Sequence, residues 1–289
     1  MIEIGAVIGC PHCQSPLEAG NAGTWRCTAC GRRFGQEGEV PVLLREEDHA
    51  RFAAFNRRYR ADRRAEGWQP LTTAQALSLP YGRAAGYPAL YWPVRRESFC
   101  ALMALLAREG PAPAHGPIAD LGAGSCWLSY RLAHLGYDAL AVDTSLDPDL
   151  GLGAAARHYL PHVHFARAQG DLAHPPLQPG QLALTILNAS LHYAVDLEAA
   201  LGRIARALRP GGRLVVLDTP IARRPRPGTG RGDRHLGREE LNEALRHAGL
   251  TPRWIPVRRG AAWWRHQTRA WLRRAPRFSF PLVVADRST

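Results

Sequence analysis

From Ile118 onward, short apolar runs alternate with segments whose apolar residues recur at helical spacing. That alternation predicts an α/β fold, a parallel sheet with crossover helices. The strands fall at 118–121, 139–142, 163–166, 182–187 and 213–217, with 254–257 and 278–285 as the last two. Helices are predicted at 127–134, where Gly136 ends the pattern, at 196–208 with Leu197, Leu201, Ile204 and Leu208 on one face, and at 239–248. Ahead of this region, 47–66 reads as a helix with Phe52, Phe55 and Tyr59 on one face, and 94–108 as another. Between them, 69–93 is punctuated by Pro and Gly and carries Tyr81, Tyr87, Tyr91 and Trp92. It reads either as a connector or as a lid, and the lid is preferred, over an active site in the domain that follows.

Composition narrows the class. With 46% apolar and 21% charged residues the chain is a globular protein, and no run reaches the roughly eighteen apolar residues of a membrane helix. The N-terminus has no basic segment before an apolar one, so a cytoplasmic protein without a signal peptide is expected. The boundaries expected are 1–47, 48–112 and 113–289. All 37 basic residues are Arg, and the net charge of +12 is uneven: 1–47 carries −2, 218–289 carries +10. Two basic stretches, 219–237 and 258–277, suit an anionic partner such as RNA. In the second, Trp264, Trp271 and Leu272 form a stripe that is compatible with packing, with nucleic acid or with a membrane surface.

Cys10, Cys13, Cys27 and Cys30 form two C-x-x-C knuckles thirteen residues apart, a spacing that places four thiolates around one tetrahedral Zn²⁺. A disulfide pair or a redox C-x-x-C are the rivals; a cytosolic setting and the tandem arrangement disfavour them. His12 inside the first knuckle reads as a bystander, and Cys100 and Cys126 as small core residues. The segment that follows, Phe34 and then Glu39-Val40-Pro41-Val42-Leu43-Leu44, resembles zinc-ribbon modules joined to methyltransferases.

Gly122-Ala123-Gly124 turns the first strand into the first helix. A dinucleotide site would want a third glycine at position 127, where this chain has Trp127. S-adenosylmethionine lacks a pyrophosphate and needs carboxylates instead: Asp143, 21 residues past the first glycine, for ribose hydroxyls; Asp120 for the ammonium; Asp171 for the adenine amine. Asp120-Leu-Gly-Ala-Gly, Ala-Val-Asp143, Gly170-Asp171 and Leu-Arg-Pro-Gly-Gly-Arg-Leu-Val-Val, in that order, resemble the motif set of class I S-adenosylmethionine-dependent methyltransferases. The resemblance implies a Rossmann-like seven-stranded sheet in the order 3-2-1-4-5-7-6 with an antiparallel last strand. It also implies cofactor contacts from Asp120, Gly122, Ala123, Gly124, Asp143, Thr144, Gly170, Asp171 and Asn188. One departure is Cys126, where the family usually has a further glycine.

His192 and Asp218, at the ends of the fourth and fifth strands, face the methyl in that frame. His192 reads as a general base with an ordinary pKa of about 6.5 or as a packing residue. The ribbon and its exit strand resemble, in architecture, the bacterial guanine-N1 ribosomal RNA methyltransferases. RNA is therefore the expected acceptor; a small molecule under the 69–93 stretch is the alternative.

Overall fold

The computed structural model describes residues 3–82, 87–222, 225, 234–272 and 278–288. Seven strands make the central sheet: β1 (Ile118–Leu121), β2 (Ala139–Asp143), β3 (Ala166–Gln169), β4 (Leu182–Asn188), β5 (Leu208–Leu217), β6 (Leu250–Ile255) and β7 (Leu282–Arg287). Their order is 3-2-1-4-5-7-6, and β7 runs antiparallel to both of its neighbours. Eight α-helices are described: α1 (His49–Ala65), α2 (Thr73–Ser78), α3 (Tyr91–Glu109), α4 (Trp127–His134), α5 (Gly153–His158), α6 (Leu197–Ala207), α7 (Arg238–His247) and α8 (Ala261–Leu272).

Period two divides the sheet residues between two cores. Leu140, Val142, Leu214 and Val216 pack with α6 and α7 on one face. Ala139, Ala141, Val215 and Leu217 pack with α3 and α4 on the other. The first core also takes in Val7, Ile8, Leu17, Trp25, Phe34 and Leu43 of the N-terminal segment. Gln178 Nε2 donates to the carbonyls of Gly5 and Ile8, Leu43 N donates to Gln169 O, and Val42 bridges Gln169 in parallel. The exit of the ribbon thus continues the sheet beyond β3.

Four strand limits differ from expectation. β5 begins at Leu208 rather than at 213, its pairing with β4 irregular between Leu208 and Arg213. β3 begins three residues later than expected, at Ala166, because the polar Arg167 and Gln169 find partners in other loops that let a strand carry them. Arg167 Nη1 donates to Leu152 O and Gln169 Nε2 to Thr144 O. β6 begins at Leu250 because an edge strand shows only a weak apolar pattern. The segment expected at 278–285 divides: Phe278–Ser279 joins a small sheet with Ile221–Ala222 and Leu236–Gly237, and β7 follows.

One expectation about a single residue is corrected: Cys100 is exposed on α3, whereas Cys126 is buried. Of the readings open for Trp264, Trp271 and Leu272, packing is the least favoured: each is at least 60% exposed, and among the described α8 aromatics Trp263 is the buried one. Most of the Arg-rich 219–237 stretch, the end of 258–277 and residues 83–86 of the expected lid lie outside the described residues.

Candidate active site

Parallel α/β sheets bind ligands beyond the carboxyl ends of their strands, where the chain order switches. A cleft of about 590 Å³ opens there. Gly122, Gly124, Asp143, Thr144, Gly170 and Asp171 line its sheet side. Asp120, Ala123 and Asn188 do not line it; Asp120 and Ala123 are buried behind the turn, and Asn188 is buried at the end of β4.

Two features build the turn. Asp143 accepts from Gly124 N through Oδ2 and from Ser145 N through Oδ1, both at 2.8 Å. Gly122 has a φ of +73°, and a Cβ added to it would lie 2.3 Å from Ser190 Cβ. Gly122→Ala should therefore cost more than the usual penalty for an L-residue at positive φ, about 1–2 kcal/mol. The expected result is a lowered melting temperature with weakened binding of S-adenosylhomocysteine; unchanged values in both assays would remove this account of the turn. Cys126 also has a left-handed φ, +65°, with Sγ donating toward Gly124 O at 3.6 Å. That backbone explains why a glycine is expected there, and the thiol points into the core rather than into the cleft.

Burial raises the pKa of Asp143 and of Asp171, and pushes Asp120 up to about 7. Asp120 Oδ2 accepts from Ser129 Oγ, and its Oδ1 is buried without a partner.

The facing wall comes from α1. Phe52, Phe55 and Tyr59, three residues of the predicted apolar face, line the cleft. The helix is tied to the strand ends: Asn56 Nδ2 donates to Thr144 O, Arg60 pairs with Asp147 at 3.0 Å, and Arg51 reaches Asp48 and Asp171. A lid is expected at 69–93; no described residue of that stretch lines this cleft, whose facing wall is α1. The aromatics of 69–93 mostly pack on one another and on Trp68, with Trp68 and Tyr87 ring centroids 4.3 Å apart, while Tyr81 is exposed. The apolar face of α1 is visible in sequence, but which surface it covers is not.

Beside the cleft lies a second group of residues. Asp218 and Ala189, just past β5 and β4, both hold left-handed φ values, +53° and +54°. Strained non-glycine backbone of this kind collects at functional sites. Asp218 Oδ1 accepts from Ser98 Oγ at 2.5 Å, while Oδ2 is buried and unpartnered. Asn188 Oδ1, Thr219 Oγ1 and His192 Nδ1 are likewise buried without partners. Burial, helped by the charges of Arg95 and Arg63, pushes His192 down to about 3. A neutral histidine of that basicity does not fit the expected general base with an ordinary pKa; it fits a hydrogen-bonding role. Burial raises Asp218, against the opposing charge of Arg95. Tyr59 and Tyr193, 6.2 Å apart edge to face, and the half-buried Tyr91 lie beside these groups. Sequence reading missed Ser98 and Arg95 because helix α3 carries no motif, whereas Tyr91 falls in the stretch read as a lid.

In the ribbon, the Sγ atoms of Cys10, Cys13, Cys27 and Cys30 all lie within 4.8 Å of one another. Cys10–Cys30 is 3.7 Å and Cys13–Cys27 3.5 Å. A zinc–sulfur bond of about 2.3 Å implies tetrahedral edges of about 3.8 Å, so the four thiols fit one zinc ion. Cys30 N donates to Cys27 Sγ, the amide-to-sulfur contact expected of a knuckle. Burial holds Cys10 up at about 12, and backbone amides bring Cys30 down to about 6. Asp48, Asp171 and His174 also converge within 4.8 Å, but Arg51 already pairs with both carboxylates.

Comparison with known proteins places this geometry. Residues 119–216 match the methyltransferase domain family. The malonyl-[acyl-carrier protein] O-methyltransferase of Enterobacter lignolyticus is 29% identical over 186 residues, 61% of this chain and 69% of that one. The trans-aconitate 2-methyltransferase of Delftia acidovorans is 34% identical over 131 residues, 45% of this chain and 47% of that one. This chain therefore spans about half the length of the second relative. The geranyl diphosphate C-methyltransferase of Streptomyces coelicolor shares the fold, with a TM-score of 0.54 and 18% identity over 76% of this chain and 90% of that one.

Proposed function

This chain carries a class I S-adenosylmethionine-dependent methyltransferase domain, and from that premise we propose that it methylates a small-molecule acceptor held between α1, α3 and the ends of β4 and β5. The observation that carries the reading is the set of buried, unpartnered polar atoms there: Asn188 Oδ1, His192 Nδ1, Asp218 Oδ2 and Thr219 Oγ1. Buried polar groups without partners are costly unless a ligand completes them. Four of them at adjacent strand ends describe a compartment for a compact polar ligand. The relatives act on malonyl-[acyl-carrier protein] and on trans-aconitate, which supports a small acceptor over RNA. The RNA reading rests on the ribbon's architectural resemblance to guanine-N1 ribosomal RNA methyltransferases and on the Arg-rich stretches 219–237 and 258–277, and none of the relatives named above supports it.

In this reading the cofactor occupies the cleft under α1. Asp143 receives the ribose hydroxyls and Asp171 the adenine amine; Asp120, buried behind the glycine turn and outside the cleft lining, acts on the ammonium through its charge and not by direct contact. Thr144, Gly122, Gly124 and Gly170 shape the floor. The bound cofactor supplies an electrophilic methyl; the protein supplies alignment, worth several kcal/mol of the barrier. Asp218 and neutral His192 orient the acceptor. The ribbon holds zinc through four cysteines, a closed shell with a structural role.

Asp120 gives a test with a defined sign. Its pKa is raised to about 7, so below pH 7 it is protonated in the free protein. An ammonium prefers the carboxylate, so binding at low pH must first release that proton. Affinity for S-adenosylhomocysteine should be greatest above pH 7 and fall below it. Calorimetry from pH 5.5 to 8.5 reads this trend, and Asp120→Asn should flatten it; a flat wild-type profile shows that the charge of Asp120 does not act on the ammonium. The acceptor class is tested with tritiated cofactor against bacterial small-molecule extracts and total RNA in parallel. Label in the small-molecule fraction alone is expected, and label confined to RNA overturns the reading.

A further inference from the structure

Three arginines lie around the proposed acceptor site. Arg63 pairs with Glu66 at 2.8 Å. Arg259 lies 3.5 Å from Glu97 and 3.9 Å from Asp218. Arg95 differs: among the described residues no carboxylate comes within ion-pair distance of it, and its recorded partner is the ring of Tyr91, 3.5 Å beneath the guanidinium.

Its place in that site follows from the helix. Arg95 and Ser98 are three residues apart on α3, so their side chains leave neighbouring positions on one face. Ser98 donates to Asp218 Oδ1. Tyr91, one turn earlier, is half-buried and carries the guanidinium. The unpartnered Oδ2 of Asp218 and Nδ1 of His192 complete the surroundings. Of the charged groups around them, Arg95 bears most strongly on both His192 and Asp218.

A guanidinium stacked on an aromatic face keeps its edge of N–H donors free. That planar fork matches the two oxygens of a carboxylate, and the fixed plane makes the match specific. Arg63 and Arg259 each have an acidic side chain within ion-pair distance, whereas the half-buried Arg95 has none among the described residues.

We propose that Arg95 is the specificity-determining residue of the acceptor site and binds a free carboxylate on the acceptor, the guanidinium held in plane by Tyr91. The proposal rests on the methyl-transfer reading above.

The test is calorimetric and uses the full zinc-replete chain. S-adenosylhomocysteine is titrated first; failure at this step removes the methyltransferase reading itself. The saturated protein is then titrated with malonate, trans-aconitate, dimethyl malonate and inorganic phosphate. Binding of at least one carboxylate, with no binding of the neutral ester, is expected. Arg95→Gln should weaken carboxylate binding by about tenfold or more, since a charge-assisted hydrogen bond to a fixed partner is lost. Arg95→Lys, which keeps the charge and loses the fork, should fall between the two. S-adenosylhomocysteine affinity and melting temperature report whether each variant is folded. If neither carboxylate binds, if phosphate binds as well as the carboxylates, or if Arg95→Gln binds like the wild type, the assignment fails while the methyl-transfer reading stands.

Discussion

Asp143→Ala is expected to weaken binding of S-adenosylhomocysteine on the order of 100-fold. Two charge-assisted hydrogen bonds from Gly124 N and Ser145 N end on this carboxylate and hold the glycine turn to the start of the next loop. Each bond to a charged group contributes about 1.5–3 kcal/mol, and the backbone amides left behind in a buried turn add their own cost. About 3 kcal/mol, roughly two decades, is a cautious total. The ribose contacts proposed for Asp143 disappear as well. Calorimetry on the wild type and the variant checks the loss, and the near-ultraviolet circular dichroism of both checks the fold. A variant that binds within fivefold of the wild type would mean that the turn is held by other contacts and that the ribose hydroxyls lie elsewhere.

The second large effect is expected from the ribbon. Cys27→Ser, or treatment with a strong chelator, should release one zinc ion per chain and unfold residues 9–35. Metal binding contributes about 10 kcal/mol or more to a module of this size, which has little core of its own. The consequence should extend to the cofactor. Val42 and Leu43 pair with Gln169, and the next two residues, Gly170 and Asp171, line the cleft. Val7, Ile8, Trp25 and Phe34 share a core with β1, β2 and α6. Zinc release, measured with a chromophoric chelator, should therefore be accompanied by a fall in melting temperature and weaker S-adenosylhomocysteine binding. Cys100→Ser, at an exposed position on α3, is the control and should change neither. A ribbon that loses its metal while the cleft keeps full affinity would show that the two parts are energetically separate despite their shared core.

Both predictions begin from residues that were legible in the chain. The two knuckles, the glycine turn and the acidic residues at the strand ends stand at fixed spacings, because tight turns and tetrahedral metal shells are made by residues close in sequence. The alternation of strand and helix was legible for the same reason, as periodicity is local. The order of the seven strands came through resemblance, since no local signal records which strand lies beside which. β3 was misplaced because Arg167 and Gln169 look polar until Leu152 O and Thr144 O are brought to them from other loops.

The acceptor side was decided by tertiary structure. Ser98 and Asp218 are 120 residues apart, and nothing in either neighbourhood marks their contact. Arg95 is one of many arginines in the chain, and only its stacking on Tyr91 and its lack of an ion-pair partner among the described residues single it out. His192 was legible as a position but not as a chemistry, because its depressed pKa is set by burial and by charges on α1 and α3. The cover over the cleft followed the same rule. The apolar face of α1 could be read from Phe52, Phe55 and Tyr59, but its place over the strand ends comes from Asn56 on Thr144 and Arg60 on Asp147. What the sequence determined by itself is what neighbouring residues make together: the metal knuckles, the turn and the alternation of elements. What only the tertiary structure decided is burial, charge environment and partner identity, which depend on residues that the chain brings together from a distance.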